Sequence, residues 1–109
     1  MNDDINPFKA LDFMRDNAPA YAMAKGNVIY MTEFRKSLKA TLMTNCDAKT
    51  QTEREAYAYA HSDYVAQLEA LKIATEEEER LKYMLSAAQA RIEVWKTQEY
   101  SKRQELKNL

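Results

Sequence analysis

Glycine occurs once in this 109-residue chain, proline twice and cysteine once. Each shortage excludes something. So few turn formers cannot supply the many tight turns of a sandwich or barrel, which leaves a few long elements and points to an all-α chain. A lone cysteine, Cys46, excludes an intramolecular disulfide framework and fits a reducing compartment. No apolar run approaches the roughly 20 residues of a membrane span. The first residues, MNDDINPF, are acidic and lack the basic region and apolar core of a signal peptide. A cytoplasmic location is the expectation. Neither sign of charge dominates: 16 basic against 17 acidic side chains leave a net charge of -1, so no global field steers the chain toward nucleic acid.

What is present is apolar periodicity. From Ser62 onward there is no Gly and no Pro. Leu71, Ala74, Glu78, Leu81, Leu85, Ala88, Ile92 and Trp95 recur at steps of three and four, with Glu78 the one polar member. Such a repeat keeps one side of a helix apolar. A helix of this extent is roughly 60 Å long at about 1.5 Å per residue, longer than a compact domain of this size is wide. It needs partners along its length, from this chain or from another copy.

In chain order, Asn6-Pro7 is a helix start, with Asn as cap and Pro at the first helical position. The pattern predicts a short helix over about 7–16, closed by Asn17-Ala18-Pro19, because Pro restricts the residue before it. A second helix follows over about 20–44, with Tyr21, Ala24, Val28, Met31, Phe34, Leu38 and Leu42 on its apolar side. Gly26 lies within it, either as a point of close approach by another helix or next to an Asn27 cap; the unbroken spacing favours continuity. Residues 45–52 read as a polar loop. Thr52, with Glu55 three residues on, has the spacing of a capping box for a long helical region over about 53–107. Within that region His61-Ser62-Asp63 marks a kink or a fresh cap at Ser62.

The sum is one all-helical domain over 1–109: a helical hairpin with a long C-terminal helix and a short N-terminal one, forming a coiled-coil-like oligomer. Leu81, Leu85, Ala88, Ile92 and Trp95 are its expected oligomer interface, most simply in a two-fold dimer.

Chemistry-bearing patterns are sparse. The single histidine, His61, has no second His to share a metal. The run Glu76–Glu79 spreads its carboxylates around the helix axis, so they cannot converge on one ion. No catalytic residue, metal or cofactor is expected, and the chain reads as a non-enzyme. The one pattern with a functional reading is basic. Lys96, Tyr100, Arg103 and Lys107 fall at i, i+4, i+7 and i+11, and Arg35, Lys36 and Lys39 cluster on the second helix. Cations with an interleaved aromatic ring can hold a phosphate backbone while a base stacks. The bland account is a solvated face at the end of a helix, where the dipole favours cations anyway.

The stretches AYAMAKGNVIYMTEFRKSLKA and EEEERLKYMLSAAQARIEVWKTQE resemble short helical accessory proteins of tailed phages and prophages. That resemblance implies an accessory setting near DNA replication or recombination, in the host cytoplasm, and supplies no site residues. Two functions follow as expectations: binding DNA or a DNA-handling protein, or acting purely as a protein–protein module, an adaptor or an inhibitor of a host factor.

Overall fold

The computed structural model describes residues 4–109, so the acidic Met1–Asp3 start lies outside the described residues. These form three helices, α1 (Pro7–Thr44), α2 (Gln51–Ala60) and α3 (Ser62–Lys107), with no strand among them. The fold is all-α, a helical hairpin with a long C-terminal helix. No helix among the described residues is long and apolar enough to cross a membrane.

The helix ends follow from local chemistry. Asn6 Oδ1 accepts the Phe8 N–H at 3.0 Å and the Lys9 N–H at 3.3 Å, so Asn6 is the expected cap and Pro7 the first helical residue. For α2 the cap is Thr50 rather than Thr52: its Oγ1 accepts the Glu53 N–H at 3.2 Å. Thr50 and Thr52 each stand three residues before a Glu, so capping chemistry alone does not choose between them. The loop chooses. Arg54 Nε reaches back to the Ala48 carbonyl at 2.7 Å, and Cys46 Sγ accepts the Ala48 N–H at 3.4 Å.

The helical region expected over 53–107 is two helices, because His61 is extended (φ -66°, ψ 138°). Its own N–H reaches the Ala58 carbonyl at 3.3 Å, while its ring Nδ1 accepts the Asp63 N–H at 3.0 Å. His61, not Ser62, is therefore the cap of α3.

The break expected at Asn17-Ala18-Pro19 is absent: α1 runs through Pro19 as one helix. An interior proline removes one backbone hydrogen bond and crowds the preceding turn, at about 3 kcal/mol. Packing offsets this cost: Ala10, Phe13 and Met14 are packed with Ala88 and Ile92. Asn17 Nδ2 donates to the Phe13 carbonyl at 2.9 Å, which does not replace the bond to the Arg15 carbonyl that Pro19 lacks. Gly26 lies inside the same helix, which is continuous through it as expected. A Cβ placed there would meet nothing within 4 Å, so Gly26 makes no close approach within the chain.

Two compact units divide the fold. One joins the start of α1, through Tyr21, to the Glu79–Leu109 stretch of α3; the other spans Ala22–Glu78. In the first, Ala10, Ala88 and Ile92 form the buried cluster, flanked by Phe13 and Met14. In the second, Leu42, Ala58 and Tyr64 do so, flanked by Leu38 and Met43, with Ala58 completely enclosed. Tyr59 meets Tyr64 edge-on at 5.2 Å.

Every seam position read from α3, Leu71 to Trp95, is buried or half-buried. The seam is covered within a single chain. Leu81, Ala88 and Ile92 are buried and Leu85 and Trp95 half-buried without a second copy, so the argument that this side needs an oligomer partner lapses. Its physical root was the short first helix. Once α1 continues through Pro19, its first turns cover Ala88 and Ile92. On α1 the inward set includes Arg35, half-buried, in place of Phe34, which is 41% exposed and stacks on Tyr30 at 6.0 Å.

Candidate functional site

Within the first unit, α1 and α3 leave a trough of about 520 Å³ between them. One wall is Asn6, Lys9, Ala10 and Phe13 of α1; the other is Met84, Ala87, Ala88 and Arg91 of α3, with Asp4 at the rim. Each wall is one helix face at i, i+3, i+4 and i+7. The floor is mostly alanine, so the backbones of both helices are thinly covered there. Lys9 and Arg91 are exposed and form no ion pair among the described residues. Each directly precedes a member of one packed cluster, Ala10 and Ile92 respectively, and the two cations line opposite walls.

The α3 wall has an apolar lip. Tyr83, Ala87, Ala90 and Val94 stand at i, i+4, i+7 and i+11, and all four are exposed. Tyr83 is 69% exposed and Val94 47%. In the second unit α1 presents Met23, Ile29, Tyr30 and Phe34, all exposed, on the side of the open Gly26, with Glu33 among them and paired with Lys36.

The basic residues expected to hold nucleic acid are divided between the units and are partly engaged. Arg35, Lys36 and Lys39 lie in the second; Lys96, Tyr100, Arg103 and Lys107 lie in the first. Lys36 pairs with Glu33 at 3.2 Å and Lys96 with Glu93 at 3.4 Å, each on its own helix. Lys39 sits over the Tyr59 ring at 4.6 Å and pairs with Glu55 at 3.8 Å. The Tyr59 hydroxyl first, and the Glu55 carboxylate more weakly, raise its ammonium above the ordinary lysine value. Arg35, Arg103 and Lys107 form no ion pair among the described residues, and Tyr100 is exposed.

Among the described residues no three His, Cys, Asp or Glu side chains are grouped to hold a metal. The His61 ring is occupied in capping α3 and lies edge-on to Tyr57 at 5.7 Å. The trough escaped the reading of the sequence: Lys9 shares a helix face with Ala10 and Phe13, and Arg91 with Met84, Ala87 and Ala88, but neither segment alone shows that the two faces meet. Comparison with known protein families, with curated proteins and with solved structures finds no match to this chain.

Proposed function

We propose that this chain is a non-enzymatic accessory module of a phage or prophage that works by holding another protein, with a DNA-handling protein as the partner class. The observation that carries the reading is the exposed apolar face of α1 in the second unit. Met23 is 70% exposed, Ile29 57% and Tyr30 67%, beside a Gly26 that nothing in the chain approaches. Large apolar side chains gathered on one helix face, around a residue that lets a backbone come close, suit a helical partner. The phage setting is supported by the sequence resemblance alone.

The test is capture of partners from the native host with wild-type chain and with the Tyr30→Glu/Phe34→Glu variant. Both positions are exposed on a helix and glutamate is a good helix former, so the variant keeps its fold. The expected result is a defined partner retained by wild type and lost by the variant. Direct DNA binding is the second reading, favoured by Arg103 and Lys107, which are exposed and form no ion pair among the described residues. Fluorescence anisotropy with single- and double-stranded DNA separates the two. Binding that weakens steeply with salt and disappears on replacing Arg103 and Lys107 would move the function to DNA.

A further inference from the structure

The trough between the first turns of α1 and the Met84–Arg91 stretch of α3 is chemically distinct from the α1 face. Its floor is apolar, with buried Ala10 and Ala88 contributing small side chains and exposed Ala87 leading from them to the α3 lip. Its two walls carry Lys9 and Arg91, neither of which forms an ion pair among the described residues, and Asp4 adds one carboxylate at the rim. On the α3 side the apolar surface continues outward through Tyr83 and Val94.

We infer that this trough is a docking site for an amphipathic helix of another protein, one with an apolar ridge flanked by acidic side chains. The inference rests on the protein-binding reading and names the chemistry of one partner surface. Two antiparallel helices with small residues along their shared groove admit a third helix, because the missing side-chain bulk lets its backbone approach. An apolar ridge at i, i+3 or i+4, and i+7 covers the alanine floor. Acidic side chains on both flanks of that ridge meet Lys9 on one wall and Arg91 on the other. Two cations against the single Asp4 carboxylate leave the trough net positive, and this charge complementarity commits the occupant: a basic helix would face Lys9 and Arg91, and a neutral one would leave both without partners.

The test uses the full chain and a fluorescein-labelled peptide of about 20 residues, long enough to be helical when bound. Leucine occupies every third or fourth position, glutamate the flanks, alanine and glutamine the rest. A second peptide carries lysine at each glutamate. Anisotropy should show saturable binding of the glutamate peptide and none of the lysine peptide. Lys9→Glu/Arg91→Glu should weaken the glutamate peptide about tenfold or more and admit the lysine peptide, since two attractive contacts become repulsive. Both positions are exposed, and retained helicity in circular dichroism checks the fold. Ala87→Met adds bulk on the α3 wall without changing charge and should weaken the glutamate peptide too.

Equal binding of both peptides, no binding of the glutamate peptide, or indifference to both variants would overturn the inference. So would saturable binding of dodecanoate, lost in the same variants, with no binding of the glutamate peptide, which would make the trough an alkyl-anion site. Failure here leaves the α1 face untouched. The protein-binding reading fails separately, if Tyr30→Glu/Phe34→Glu captures the same partner as wild type.

Discussion

Pro19 is the position where the helical pattern and the backbone chemistry conflict most, and Pro19→Ala measures the conflict. The residue is exposed and lies inside α1, so the substitution removes no core contact. It restores an N–H that can bond the Arg15 carbonyl and removes the crowding of the ring against the preceding turn, a gain of about 3 kcal/mol. Against this, alanine gives the unfolded chain more freedom, which costs about 0.4–1 kcal/mol. The net expectation is about 2 kcal/mol of added stability, or a rise in Tm of about 8–16 °C for a domain of this size. Urea denaturation followed by far-UV circular dichroism reads the first quantity and a thermal melt the second. Helical signal before unfolding should stay nearly constant, because α1 is already continuous. Unchanged or reduced stability would refute the account of how α1 tolerates Pro19. A large gain in helical signal would show that the wild-type helix is broken there after all.

Gly26→Ala should stabilise the chain by about 1 kcal/mol in the same denaturation assay, because helix propensity improves and the added methyl group meets nothing. Ala58→Leu should cost about 1–3 kcal/mol or more by urea denaturation, because Ala58 is fully enclosed between Leu42 and Tyr64 and has no room to expand. The raised Lys39 group sets an alkaline limit. Its contribution is complete below the ordinary lysine pKa of 10.5 and fades as the pH rises through the higher folded-state value. The difference in urea midpoint between wild type and Lys39→Met should therefore shrink as pH is raised from neutral to beyond 10.5.

The long C-terminal helix was legible because no Gly or Pro interrupts its period. From Leu71 to Trp95 the steps of three and four meet one polar residue, Glu78, and one fork, Met84 against Leu85, where Leu85 is half-buried and Met84 is exposed. On α1 a fork misleads. From Met31 to Leu38 a step through Phe34 and a step through Arg35 both keep the spacing. Hydrophobicity selects Phe34, but the structure turns Arg35 inward and stacks Phe34 on Tyr30. Pro19 misled for a different reason. The rule that proline ends a helix is a statement about local cost, and here packing by Ala10, Phe13 and Met14 outweighs it. His61 as a cap was hidden because imidazole is an uncommon capping group, and Ser62 beside it is a better one by type.

The basic residues read from the sequence stand at helical spacing, and the structure adds partners to two of them one turn away on the same helix, Glu33 for Lys36 and Glu93 for Lys96. An exposed pair of this kind contributes little to stability, yet it lowers the positive potential that a phosphate backbone would meet. Lys39 is withdrawn further, by an aromatic ring on another helix that spacing along α1 cannot reveal. Lys9 and Arg91 present the opposite case. They are 82 positions apart in the chain, and nothing in either segment alone suggests a shared role. They become a pair because α1 continues through Pro19, which keeps its first turns in register against Ala88 and Ile92. The trough is thus a product of the same helix continuity that covers the seam. A substitution that broke α1 near Asn17 should loosen the cluster of Ala10, Ala88 and Ile92 and disperse the two cations together.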